Sequence, residues 1–440
     1  MATHKKPTND SPAAASKTAD PLLKSLKLRV GQFNLLNFHD PGKPCYGRSY
    51  TQDEVDGKVE WTSQQLRAMR CHVVGFEEVW SLAPLKAAIA KSGIYPDSYS
   101  LVGPGVDGSR PAVALLSVFP IVETDYFDDF PPEVILIFGE NGIDLPIKKF
   151  QRGVLRCVVK MPNDRLVTFF VAHLKSKRPI VTIQERDDAK ASAIGSALSL
   201  IVRSAESAAL RCLVIDETDG RPQHSKRKGA SSPGKSGDEQ EEEQSTSAAG
   251  VKATTIVLGD LNETVHSTST EIVTGTKPFK KLPFWVKQNV YRNMLSSTND
   301  VQVRSSDRDV TYSHIFNGRY DVLDHILVSN DLIRSNPLHI GYVQLLHHLN
   351  DHLIDATLSE RDDWGEGVLR ADGDSHWNKS KYTSDHGQCV ALIKLFPKGQ
   401  NGQNRFVARR KEGAENAETN DEGLDDADEL DLQYHNKLRI

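Results

Sequence analysis

Asp260 and Asn262 stand two residues apart at the end of an apolar run, Ile256-Val257-Leu258-Gly259-Asp260-Leu261-Asn262. Side chains two apart on an extended backbone point to the same side. A carboxylate that can orient a water then sits beside an amide that can donate to a charged oxygen, a useful pair for phosphoryl transfer. A plain strand end with an Asp/Asn turn would read the same way. Ser384-Asp385-His386 precedes a second apolar run and offers a hard oxygen ligand next to a titrating imidazole. Gly75-Phe76-Glu77-Glu78-Val79-Trp80 brings a carboxylate out of a buried strand, and one direct carboxylate suits magnesium, which keeps waters and substrate phosphate in its shell.

Three further segments carry polar groups where apolar ones are expected. Gln32-Phe33-Asn34 places an amide inside an apolar strand, which is costly unless it is bonded. Asn34 could support a metal-bound carboxylate or be a satisfied core amide. In Val171-Ala172-His173-Leu174-Lys175-Ser176-Lys177 a histidine ends a strand and two lysines follow, groups that suit phosphate oxygens. Asp324 opens the apolar run His325 to Val328, where an unpaired carboxylate would be expensive, so a partner such as a histidine is expected.

The elements that must hold these residues read as strands interleaved with a few helices. Leu28 to Leu36, His72 to Phe76, Ala112 to Val118, Val154 to Lys160 and Leu166 to Leu174 read as strands, as do Leu213 to Ile215, Thr255 to Leu258, His325 to Val328 and Cys389 to Leu395. Val55, Val59, Thr62, Leu66 and Met69 recur with helical spacing, and Ile194, Leu198, Ile201 and Ala205 mark a second helix. Many short strands with two or so long helices predict an α+β sandwich rather than a doubly wound parallel sheet.

Composition limits the classes further. The chain of 440 residues is 38% hydrophobic with a net charge of −5, and its mean hydropathy is −0.45. No run approaches a membrane span of roughly 18 apolar residues. No apolar membrane-binding segment stands out either, which counts against a lipid substrate. Five cysteines without a C-x-x-C pair argue against a zinc ribbon or a disulfide scaffold; Cys157, Cys212 and Cys389 read as core thiols. Residues 1–26, 216–250 and 400–440 are polar, and both the 216–250 insertion and the 400–440 tail are acidic on balance; all three segments are read as disordered. The remainder reads as one domain, 27–399, of about zero net charge once the 216–250 insertion is left out, without the basic footprint of many nucleic-acid binders. His347, His348 and His352 lack a zinc-protease pattern and read as surface or packing residues, and Arg361 to His376 reads as an insertion near the site mouth. Lacking a signal peptide pattern, the chain is expected to be cytoplasmic, and it is expected to be monomeric.

Taken in order, the motifs FN, EE, HLKSK, GDLN, DH-ILVS and SDH resemble the endonuclease/exonuclease/phosphatase superfamily, in its bacterial-type branch, over about residues 27–397. The resemblance implies a four-layer sandwich: two mixed, mostly antiparallel sheets face to face with helices outside. It implies Asn34, Glu78 and Asp385 around Mg²⁺ or Mn²⁺. It implies His173, Asp260, Asn262, Asp324 and His386 as the catalytic set, with Asp324 orienting His386 and with either Asp260 or His386 as the base. Arg152, Lys175 and Lys177 are taken as substrate contacts. Glu77 stands where many members have Gln, a departure that would add a charge beside the metal. The implied activity is phosphodiester hydrolysis, with DNA and RNA as candidate substrates. The alternatives are a lipid or small-molecule phosphoesterase, such as a sphingomyelinase or an inositol-phosphate phosphatase, and a non-catalytic scaffold.

Overall fold

The computed structural model describes residues 25–103, 108–135, 147–220, 253–305, 311–316, 319–353 and 382–405. Strands are numbered in chain order. One six-stranded sheet has the order β15 (Gly341–Leu349), β16 (Gln388–Leu395), β1 (Leu26–Phe38), β4 (Val73–Val79), β6 (Ala112–Ser117), β5 (Ser100–Val102). The other has the order β11 (Leu295–Ser297), β14 (Asp324–Ser329), β10 (Thr254–Asp260), β9 (Leu166–His173), β8 (Lys149–Lys160), β7 (Ile121–Asp129). Only the central pairs β1/β4 and β9/β10 run parallel; the other pairings within these sheets are antiparallel. Two small hairpins, β2 (Pro44–Cys45) with β3 (Arg48–Ser49) and β12 (His314–Phe316) with β13 (Arg319–Asp321), lie outside the sheets.

The layers follow from the alternation of side chains along each strand. Leu28 and Val30 of β1, Val73 of β4, Phe169 and Val171 of β9 and Ile256 and Leu258 of β10 fill the space between the sheets. The opposite faces carry Phe33, Val74 and Phe76 against helix α1 (Gln52–Met69) and α2 (Leu82–Ser92). On the other sheet Phe170, Ala172 and Val257 pack on Ala205, Ala209, Leu210 and Leu213 of α3 (Ala189–Thr218). The result is the expected four-layer α+β sandwich. Helix α1 starts at a capping box, with Thr51 and Glu54 each satisfying the other's backbone N–H, and it buries Val55, Val59, Thr62, Leu66 and Met69 as its periodicity predicts. Helices α4 (Thr268–Thr274), α5 (Phe284–Asn293) and α6 (Thr298–Ser305) follow β10 and flank β11. Among the described residues no helix is long and apolar enough to cross a membrane.

Several local expectations are corrected. Leu213 to Ile215 is helix, not strand, because α3 continues without a break to Thr218. Its buried face is Val202, Ala205, Ala209 and Leu213, whereas Ile194, Leu198 and Ile201 are exposed; the helix overhangs the sheet at its start. The 216 boundary of the insertion also shifts. Glu217 is buried and takes two hydrogen bonds from Arg156, at 2.7 and 3.1 Å, and one from Thr168 Oγ1 at 2.6 Å. Residues 400–405 pack as well: Gln400 O accepts from Arg165 Nη2 at 2.7 Å, and the Arg405 guanidinium lies 4.5 Å from the Phe396 ring centre. Cys212 is half-buried rather than a core thiol. Leu26, the last residue of the first polar segment, is already strand, opening β1 opposite Leu395. The remainder of the three polar segments and Arg361 to His376 lie outside the described residues.

The Arg156–Glu217 pair sets a stability test. Glu217→Ala leaves a buried guanidinium with only Asp125 and the largely exposed Glu123. The expected loss is about 3 kcal/mol, typical of breaking a buried pair. Replacing residues 221–250 by a short Gly/Ser linker should instead leave the thermal midpoint unchanged. Thermal melts of the two variants check both outcomes.

Candidate active site

The polar end of the gap between the two sheets collects the motifs, and the strand period explains why. Gln32 and Asn34 continue the inward face of Leu28 and Val30, and Glu77 continues that of Val73. His173 follows Val171, Asp260 follows Leu258, and Asp324 precedes Ile326, all at the same two-residue step. Register then aligns them, with Asp260 opposite His173 on one side and Asp324 on the other. Gly259 is required for this approach, because a Cβ there would lie 1.9 Å from the Ala172 carbonyl oxygen.

Asp260 sits at the centre. Its Oδ1 accepts from the Asn262 backbone N–H at 2.8 Å, and its Oδ2 accepts from Asn34 Nδ2 at 3.1 Å. His173 Nε2 lies 3.5 Å and His386 Nε2 3.7 Å from that same Oδ2. Burial, outweighing the His386 charge, pushes the Asp260 carboxyl up to about 7. His386 Nδ1 meets Asp324 Oδ2 at 2.7 Å, and Asp324 Oδ1 accepts from Gln32 Nε2 at 2.7 Å. Burial alone would lower the His386 pKa, but the charges of Asp324 and Asp260 and the Asp324 hydrogen bond hold it well above the usual imidazole value. Asp324 is itself held below the carboxylate range, because the His386 charge and its hydrogen bonds outweigh burial. His173 is the reverse case: burial, with Arg152 and His386 nearby, keeps it well below its ordinary value and therefore neutral.

Glu78 leaves the strand through a kink. The β1/β4 register shifts between Asn34 and Phe38, and Leu36, Asn37 and Glu78 all take left-handed backbone, with φ of 50°, 55° and 58°. Such bulges re-aim side chains at the ends of sheets. Glu78 Oε2 accepts from the Asn37 N–H at 2.9 Å, and Asn37 Oδ1 accepts from Trp80 Nε1 at 3.0 Å. Burial first, and then the Asp385 carboxylate, raise the Glu78 pKa. Asp385 is exposed at the rim, 4.0 Å from His386 Nε2. These donors are hard oxygens in each other's fields, without thiolates, a set that fits Mg²⁺ or Mn²⁺ better than zinc. Asp324 and His386, which could also group with Asp260 around an ion, are already hydrogen-bonded to each other.

The sequence matches the Endonuclease/Exonuclease/phosphatase family over residues 31–386. The chain belongs to that family. Its members are hydrolases of phosphoester bonds and generally depend on divalent metals. No curated protein matches the sequence. Among solved structures, the catalytic domain of human Nocturnin with bound sulfate is 13% identical with a TM-score of 0.43, covering 84% of this chain and 96% of that one. An endonuclease/exonuclease/phosphatase family protein from Bacteroides thetaiotaomicron is 14% identical with a TM-score of 0.42, covering 86% and 98%. Humanized D. rerio TDP2 is 12% identical with a TM-score of 0.44, covering 83% and 98%.

Two expectations about site residues change in this family member. Glu77 turns inward onto Gln32 rather than joining Glu78 at the rim. It is fully buried, its Oε2 accepts from Gln32 Nε2 at 2.8 Å, and burial with Asp324 and Asp260 nearby pushes it well above the carboxylate range. Burial thus favours its protonated form. Lys175 does not reach the site mouth, because its Nζ donates to the carbonyls of Ser176 and Arg178, each at 3.0 Å. It braces its own loop, which α3 holds through Glu206 on the Lys175 N–H at 2.7 Å and Arg203 on the Lys175 carbonyl at 3.0 Å. Lys177 is half-exposed, 3.4 Å from Glu263. Arg152 donates to the Leu174 carbonyl at 3.3 Å and lines a groove of about 330 Å³ with Tyr46, Trp80 and Arg110. Asn262 turns its amide onto the Leu174 carbonyl at 3.0 Å and so braces Asp260 through its backbone.

Three residues at the site were given no role from the sequence, and a fourth, His352, read only as a surface or packing residue. Gln32 bridges Glu77 and Asp324, and its two-residue offset from Asn34 was the available signal. Lys58, on the buried face of α1, donates to the Leu36 carbonyl beside Glu78 and Asp385. His314 pairs with His386 as an isolated bridge, ring centres 4.8 Å apart. His352 places Nε2 3.0 Å from the His386 carbonyl and rests on Trp61. Nothing in the sequence marked Lys58 or His314, and the packing role read for His352 is the one it has.

Proposed function

We propose that this chain is a metal-dependent phosphodiesterase of the nuclease type, cleaving a nucleic-acid strand. The observation that carries the reading is the Asp260 carboxylate, fixed by Asn34 and Asn262 between His173 and a His386 that Asp324 anchors. Glu78, with Asn34 and Asp385, would hold Mg²⁺ or Mn²⁺. The bound cation would supply charge withdrawal from the phosphorus and stabilisation of the leaving oxygen.

The chain's own residues do the rest. Asp260 orients a water toward phosphorus and accepts its proton as the new P–O bond forms and the ester P–O bond breaks. His386 is a poor candidate for base, since Asp324 raises its pKa and favours the protonated ring; it donates Nε2–H to a non-bridging oxygen. His173 sits on the other side of the same carboxylate, within reach of a second oxygen. Arg152 and Lys177 meet flanking phosphates. A second reading, a small phosphoester, is favoured by the near-zero charge of the folded part and by the compact groove at Arg152.

A screen of purified protein over plasmid DNA, RNA, abasic duplex, sphingomyelin, inositol phosphates and bis-p-nitrophenyl phosphate separates the two readings. Turnover of nucleic acid should vanish in EDTA and return with Mg²⁺ or Mn²⁺. Undiminished turnover in EDTA, or turnover of inositol phosphates alone, would sink the nuclease reading.

A further inference from the structure

Helix α5 buries none of its residues. Phe284 is 73% exposed, Trp285 72% and Tyr291 44%, and Phe279 in the segment before the helix is 82% exposed. Phe284 and Tyr291 are two turns apart, so with Trp285 they occupy one side of the helix. Folded chains seldom leave several large rings together in water, and such patches mark interaction surfaces. The same stretch is basic. Between Glu271 and Asp300 there is no acidic residue, while Lys277, Lys280, Lys281, Lys287 and Arg292 are all cationic. A chain of net charge −5 thus gathers five positive charges around four exposed rings. The interleaved lysines kept this stretch from standing out as apolar in the sequence.

We propose that this face docks on an anionic phospholipid surface. Amphipathic helices that lie in a membrane interface combine these features: aromatic side chains that bury at headgroup depth, and lysines whose stems lie along the apolar layer while their ammoniums meet lipid phosphates. Other occupants fit less well. The chain's own acidic run, Glu412 to Glu429, matches the charge but brings only one large apolar side chain, Leu424, to cover four rings. A nucleic-acid strand is held in a cationic groove with rings along its floor, whereas these rings project outward from a helix whose inner side, Val286 and Val290, is half-buried.

The position decides what docking would do. Helix α5 leads into β11, whose Leu295 pairs with Ser329, the end of β14 away from Asp324. The patch and the Asp324 end are therefore separated by about the length of a six-residue strand, roughly 17 Å. Docking there tethers the protein without presenting its active site to the lipid.

Flotation of the full chain with phosphatidylcholine vesicles containing about 30 mol% phosphatidylglycerol tests this. The protein should float with these vesicles, sink with pure phosphatidylcholine and be released by high salt. Phe284→Ser/Trp285→Ser and, separately, Lys280→Glu/Lys281→Glu should each weaken partitioning by at least about tenfold, with unchanged melting temperature and unchanged turnover of a soluble ester. Failure to float, or equal flotation of both variants, would overturn the proposal. So would flotation that appears only after residues 406–440 are deleted, or loss in the variants of duplex DNA binding but not of vesicle binding.

Discussion

Asp324→Asn should lower kcat by about 10²–10⁴-fold, in the range of losing a positioned acid–base partner, while leaving the fold in place. Asn is nearly isosteric, and its Oδ1 can still accept from Gln32. What disappears is the charge that keeps His386 protonated. Asp324 favours the ring protonated on both nitrogens; opposite an amide the balance shifts toward the neutral form that burial favours. The signs follow from the two shifts. His386 has a raised pKa, so its contribution to stability is complete below the ordinary imidazole value and is lost as pH rises through its folded pKa. Asp324 has a lowered pKa, so its contribution is present above the ordinary carboxylate value and is lost as pH falls. The pair is worth most across the neutral range, where the variant's deficit should be greatest. The variant-to-native ratio of kcat should therefore recover at acid pH and worsen toward pH 8. His386→Ala should cost about as much, and the double variant should be far less than multiplicative, because the residues act as a unit. Independent, multiplicative losses would refute the pairing.

The second large effect is expected at Asp260. Asp260→Asn removes the acceptor for the water's proton and should lower kcat by at least about 10³-fold. Its effect on stability should have the opposite sign. A carboxyl pushed up to about 7 binds its proton more tightly folded than unfolded. The native protein therefore loses stability as pH rises from about 4 to about 7. Taking the carboxylate away relieves that penalty, so in EDTA the variant should melt no lower than the native protein at pH 8, and relatively higher there than at pH 4.5. Calorimetric melts at both pH values, beside steady-state rates, check the two halves together. A variant that loses activity by unfolding at pH 8 would contradict this role for Asp260.

The same two residues show how a site can be legible while its energetics are not. Asp324 at the head of an apolar strand demanded a partner, and the strand alternation placed Asp260 on the inward face. Neither observation says that Asp260 would be held near neutrality and Asp324 well below it. That division comes from which carboxylate received the hydrogen bonds of both His386 and Gln32. Glu77 makes the point more sharply, since beside Glu78 it reads as an added charge and in the fold it is buried on Gln32, where desolvation disfavours that charge. Lys175 reads as a phosphate contact until the loop turns its ammonium onto two carbonyls.

By itself the sequence determined the strands that carry the site, the buried face of α1, the sandwich class, and the order in which polar residues emerge from apolar runs. These are local properties: a two-residue alternation and a 3.6-residue periodicity are written in neighbouring residues. Only the tertiary structure decided which of those residues meet. Asp324 and His386 are 62 residues apart and Gln32 and Asp324 are 292 apart, and both contacts depend on strand order and register. It also decided the kink that frees Glu78, the second ring of neighbours in Lys58, His314 and His352, and the continuation of α3 through Leu213 to Ile215. Register, bulges and desolvation are set by what packs against a segment, and that information lies elsewhere in the chain.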